Sequence, residues 1–168
     1  MVRRALLLIG VCAVALAACS SGGDTTSPAA TTQHQTLVIN DEATPICVAV
    51  ASTFAEKVAG LANRATLPPK EGMAFPFAAA ANRSFNMTDI AFPLEIVWVG
   101  QGGQYLDATS MAPNTPGPHD SPGPITLAVE LSPQDWGPLA GKVHSVTLGT
   151  VCEGTITAGP PGKKPTKF

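Results

Sequence analysis

Residues 92–111 read FPLEIVWVGQGGQYLDATSM. In the first run, 92–99, alternation sets Phe92, Leu94, Ile96 and Trp98 on one face and Pro93, Glu95, Val97 and Val99 on the other, which is the period of a β-strand. The linker Gly100-Gln101-Gly102-Gly103 joins it to a second strand-like run, 104–111, and predicts a hairpin. Both faces of the first run are largely apolar, so it is expected to be covered on both sides. Glu95 is the one carboxylate in it. A buried carboxylate needs a donor or a raised pKa.

Outward from the hairpin, Ile46, Val48 and Val50 alternate with Cys47, Ala49 and Ala51, and further strands are expected at 73–77, 125–131 and 144–152. Thr53 and Glu56 have capping-box spacing and predict a helix through Arg64, with Phe54, Val58 and Leu61 on one face. Pro68-Pro69 ends any continuation. The stretch PNTPGPHDSPGP, 113–124, is too rich in proline for a ladder and reads as a surface loop. Ser132-Pro133 predicts an N-cap and a short helical turn around Trp136. One main helix at about 53–64 among many short strands gives an α+β class, mainly antiparallel β, as a curled sheet or half-open barrel.

The N-terminal residues 1–18 have a cationic start (Arg3, Arg4), an apolar stretch and small residues, the layout of a signal peptide. Leu16-Ala17-Ala18-Cys19 resembles the bacterial lipobox, so Cys19 is expected to carry lipid and hold the chain to the outer face of the cytoplasmic membrane, in the cell envelope. Residues 19–35 are expected to form a flexible tether, 36–156 a single domain, and 157–168, with Lys163, Lys164 and Lys167, a disordered tail. The chain carries 10 basic and 12 acidic residues. Without Arg3 and Arg4 the balance is more acidic still, and no basic patch argues for nucleic acid. Cys12 leaves with the signal and Cys19 is assigned to lipid, so Cys47 and Cys152 are expected to pair in an oxidising compartment.

Four blocks carry a family resemblance: Glu56-Lys57-x-x-Gly60-Leu61-x-x-Arg64, Gly72-Met73-x-Phe75-x-Phe77, Phe85-x-Met87, and Pro93-Leu94-Glu95-Ile96. In order and spacing they resemble the bacterial family known as domain of unknown function 192, over roughly 48–149. The resemblance implies a small exported domain and brings no agreed activity. Where the family commonly reads F-W-M-K-N-T, this chain has Phe85-Asn86-Met87-Thr88-Asp89-Ile90, and Glu95 stands where aspartate is usual. Gly60 is read as a site of close approach and Gly72 as a positive-φ position before a strand. Met73, Phe75, Phe85 and Met87 are read as core or as a pocket wall.

The chain has no G-x-S-x-G motif, and the only thiols left over are the expected pair, so nucleophilic hydrolysis finds no support. His34 in the tether, His119 in the loop beyond Met111 and His144 at a strand start have no metal-ligand spacing and read as solvated or capping; no metal and no cofactor are expected. Two function classes remain. The first is a membrane-anchored extracytoplasmic binding or accessory lipoprotein with an envelope ligand or protein partner. The second is a cell-envelope enzyme using Asp89, Glu95 and Glu130 as acid and base groups. Arg64, Asp89 and Glu95 are the candidate polar cluster, for a ligand or for structure, with an Arg64–Glu95 ion pair as the expected pairing.

Overall fold

The computed structural model describes residues 32–159. The signal peptide, Cys19, most of the expected tether and the lysine-bearing tail lie outside the described residues. Eleven strands and α-helices follow in chain order among the described residues: β1 (Gln33–Ile39), β2 (Glu42–Val50), α1 (Phe54–Ala59), β3 (Glu71–Ala81), β4 (Ser84–Phe85), β5 (Leu94–Val99), β6 (Tyr105–Met111), β7 (His119–Asp120), β8 (Ile125–Leu131), α2 (Pro133–Trp136) and β9 (Val146–Val151), with a short 3-10 turn at Gln101–Gly103 between β5 and β6. Seven strands form one sheet in the order β6-β5-β8-β3-β2-β1-β9, and β4 pairs with β7 in a separate ribbon. Only β2 and β3 run parallel in that sheet. A parallel pair needs a crossover, and α1 lies within it.

The fold is α+β with a mainly antiparallel sheet. An antiparallel bridge between Gln104 and Ser145, just before β6 and β9, lets the two edges of the sheet touch at one point without closing a barrel. The β5–β6 hairpin forms as its alternation predicts, from Leu94 opposite Met111 to Val99 opposite Tyr105. Ile96 and Trp98 join a core on one face with Met73, Phe75 and Leu61. Val97 and Val99 join a second core on the other face with Val48, Val129 and Trp136. Burial on both faces explains why the strand lacks an apolar/polar alternation. Trp98 is wholly buried, and its indole N–H donates to Thr109 Oγ1 at 2.9 Å, the partner that a buried indole needs.

Cys47 in β2 and Cys152 beyond β9 form a disulfide across 105 residues of sequence. Closing a loop of that length removes about 4.7 kcal/mol of chain entropy from the unfolded state.

Local capping signals read correctly. Thr53 Oγ1 accepts from the Glu56 amide at 3.2 Å while Glu56 Oε2 accepts from the Thr53 amide at 2.7 Å. Ser132 Oγ accepts from the Asp135 amide at 3.1 Å to cap α2.

Other expectations are corrected. The helix stops at Ala59 because Gly60, at φ +49°, turns the chain out of it; Arg64 therefore lies in a loop. Only Ala59 of α1 is buried, and Phe54 and Val58 face solvent. The two glycine roles are exchanged: Gly60 holds the positive φ, whereas a Cβ on Gly72 would sit 2.5 Å from Glu130 O and from Leu131 Cδ2. The sheet begins at Gln33, inside the stretch read as tether, so His34 belongs to β1 and its Nε2 meets Ile156 O at 2.6 Å. His119 and Asp120, read as loop, pair with Phe85 and Ser84.

Candidate functional site

Beyond Gly60 the chain sinks Leu61 into the core, then reverses at Asn63, which has φ +61° and donates its amide to Asp89 O at 2.8 Å. That turn presents Arg64 to the C-terminal segment. One Nη of its guanidinium donates to Thr157 O and lies 3.3 Å from Thr157 Oγ1. Its Nε is buried and has no partner among the described residues. The facing segment is held by the Glu71 carboxylate, which accepts from the amides of Thr155 and Ile156 at 3.0 Å each, and by the Gly159 amide, which donates to Gly60 O at 2.9 Å. Thr157–Gly159, expected to start the tail, therefore belong to the domain. Between the two segments lies an open depression of about 460 Å³, lined by Asn63, Arg64, Thr66, Pro68, Thr157 and Gly159 among others.

The expected Arg64–Glu95 pair does not form. Glu95 lies on the sheet face that carries Val97 and Val99, whereas Leu61, just before Arg64, packs on the face that carries Ile96 and Trp98. Glu95 is half-buried beside the edge strand, where its Oε1 accepts from Ser110 Oγ at 2.6 Å. Asp89 is exposed in the loop at φ +60° and reaches the Arg64 region only through its backbone carbonyl.

Glu130 is the unusual acid. It is 2% exposed, pairs in register with Met73 on β3 and Ile96 on β5, both fully buried, and its Oε2 has no partner among the described residues. Burial pushes its carboxyl up to about 8, because the charged form has no solvent and no counter-charge.

Met73, Phe75 and Met87 are buried core residues, and Phe85 is half-buried against them. The Phe75 and Phe85 rings meet edge to face at 5.1 Å, and Phe85 meets Trp98 at 5.5 Å. These are packing contacts. Among the described residues no three His, Cys, Asp or Glu side chains come together as a metal-ligand set.

Sequence reasoning missed two features. The walls at Asn63, Thr66 and Thr157 carry no motif, since they meet only when the C-terminal segment docks. Lys57 and Arg83 flank the Phe77 ring, with Lys57 Nζ 5.9 Å and Arg83 Cζ 4.2 Å from its centroid. Burial holds the Lys57 ammonium below its ordinary value; Glu56 opposes that shift and Arg83 adds to it. The four-block pattern contained Lys57 and Phe77 but said nothing about their meeting.

The family pattern described as Uncharacterized ACR, DUF192, matches residues 36–137, more than half of the 168-residue chain. The chain belongs to the DUF192 family. Both sides of the Gly60 turn, Arg64, Glu95 and Glu130 fall within the DUF192 match, while Thr157–Gly159 lie beyond it. No curated protein matches the chain. A crystal structure of a candidate transcription regulator from Sinorhizobium meliloti 1021 is similar at a TM-score of 0.62 and 18% identity, covering 70% of this chain and 94% of that one. A protein of unknown function from Novosphingobium aromaticivorans DSM 12444 is similar at a TM-score of 0.59 and 24% identity, covering 68% of this chain and 83% of that one. At these identities the likeness concerns the DUF192 fold alone.

Proposed function

We propose that this DUF192 protein is a membrane-anchored extracytoplasmic binding or accessory lipoprotein, tethered through lipid on Cys19, and that it engages an envelope ligand or protein partner at the depression beside Arg64. The observation that carries the binding reading is the Arg64 guanidinium on the wall of an open, polar-lined depression. A planar guanidinium with neighbouring amide and hydroxyl groups suits a carboxylate or phosphate group on the bound molecule. The disulfide supports an oxidising compartment, and Leu16-Ala17-Ala18-Cys19 supports the anchor.

The alternative enzyme needs its acids to converge. Asp89 is in a loop, Glu95 is on one sheet face and Glu130 on the other, so binding is the better supported reading.

A photo-crosslinking residue in place of Thr66, in the full chain in cells, tests it. The expected result is a discrete adduct that disappears on Arg64→Ala. An adduct indifferent to Arg64→Ala in a chain of unchanged stability contradicts it.

A further inference from the structure

The short helix α1 presents apolar side chains outward. Phe54 is 82% exposed and Val58 44% exposed, and a spacing of four residues places them on one helix face, with Lys57 beside them. A core-facing role is closed to them, because α1 buries only Ala59.

The charge at this surface is cationic. Lys57 Nζ donates to the carbonyls of Ala51 and Ser52 at 2.7 and 3.1 Å, and Arg83 contacts the Ala79 carbonyl at 3.4 Å, so the hydrogen bonds of both cations go to neutral carbonyls, and Glu56 is the one acid that acts on Lys57. The acid on the helix, Glu56, turns its carboxylate back to the amides of Ser52 and Thr53. Two cations with an aromatic ring between them, next to an exposed Phe and Val, make an interfacial pattern: apolar groups to enter the headgroup region and positive charge to meet anionic lipid.

Both exits of the described chain lie beside this helix. Gln33, at the N-terminal end, pairs with Val50, just before α1. Gly159, at the C-terminal end, donates to Gly60, the residue that ends α1. The stretch from Cys19 to Thr32 reaches at most about 45 Å when fully extended, so a lipid on Cys19 would keep this end of the domain near the bilayer. The sequence after Gly159 adds Lys163, Lys164 and Lys167.

We propose that the outer face of α1, with Phe54, Lys57 and Val58 flanked by Phe77 and Arg83, is a contact surface for an anionic lipid bilayer. The proposal rests on the lipid-anchor reading for its geometry. The surface holds the tethered domain against the membrane in a fixed orientation instead of leaving it free on its tether.

The test uses the mature full chain carrying Cys19→Ser, so that no acyl chain contributes, with phosphatidylcholine vesicles made with and without phosphatidylglycerol. Co-sedimentation with the phosphatidylglycerol vesicles alone is expected, falling as salt is raised. Lys57→Gln lowers the partition coefficient about fivefold, Phe54→Ser lowers it as well, and Phe54→Trp shifts its emission to the blue on those vesicles. The proposal is overturned by equal or absent binding to the two vesicle types, by binding indifferent to Phe54→Ser, or by a Phe54-dependent dimer without vesicles, which would assign the face to a second copy. Failure of the lipid-anchor reading appears separately, as a parent protein whose Cys19 carries no acyl group.

Discussion

Glu130 makes the stability of this domain depend on pH in a direction unusual for a carboxylate. In the folded protein burial pushes its carboxyl up to about 8, against an ordinary value of 4.5 in the unfolded chain. Between those values the unfolded state binds fewer protons than the folded one, so stability falls as pH rises. The contribution is whole below about pH 4.5, declines by about 1.4 kcal/mol per pH unit, and is fully lost above about pH 8. From about pH 5 to about pH 7.5 the loss is about 3 kcal/mol, a large part of a typical domain's stability. Glu130→Gln keeps the shape and removes the titration. Urea unfolding of parent and variant, followed by the emission of Trp98 and Trp136 across that range, isolates the effect, because the other titrating groups contribute equally to both. The parent is expected to lose about 3 kcal/mol relative to Glu130→Gln. Parallel profiles would refute the reasoning and show that Glu130 has a partner or solvent access.

Other outcomes follow from single contacts. Reducing the Cys47–Cys152 disulfide is expected to destabilise the domain by up to about 4.7 kcal/mol, checked by urea unfolding with and without reductant. Gly72→Ala is expected to cost about 1–3 kcal/mol, because its Cβ would meet the Glu130 carbonyl as well as the Leu131 side chain, and backbone gives way least; an unchanged urea midpoint would contradict this. Glu95→Gln is expected to change stability by less than about 1 kcal/mol at neutral pH, since the amide oxygen still accepts from Ser110. A larger loss in the same assay would revive a charged partner for Glu95.

What the sequence made legible was local. The 92–111 hairpin, the Thr53–Glu56 capping box and the Ser132 cap each depend on residues a few positions apart, where alternation and hydrogen-bond reach leave little choice. The spacing of Phe54, Val58 and Leu61 misled because periodicity presumes that the helix continues, and Gly60 ends it before Leu61 can share its face. The Arg64–Glu95 pairing failed for a non-local reason: strand alternation gives two faces but not which one the crossover segment covers. The Arg64 depression was out of reach, since its second wall comes from Thr157–Gly159, docked through Glu71 and Gly60 from far along the chain. Glu130 was legible as a carboxylate in an apolar strand, but its isolation depends on Met73 and Ile96 from two neighbouring strands.

The claim on which the functional reading stands is that this DUF192 domain works while anchored to a membrane through Cys19. Intact-mass measurement of the protein extracted from the membrane fraction of cells tests it most directly. The account predicts a mature chain that begins at Cys19 and carries a diacylglyceryl group on its sulfur, and a Cys19→Ser chain that leaves the membrane pellet in a high-salt wash. A mature chain beginning elsewhere, or an unmodified Cys19 in a protein that stays with the membrane, would contradict it.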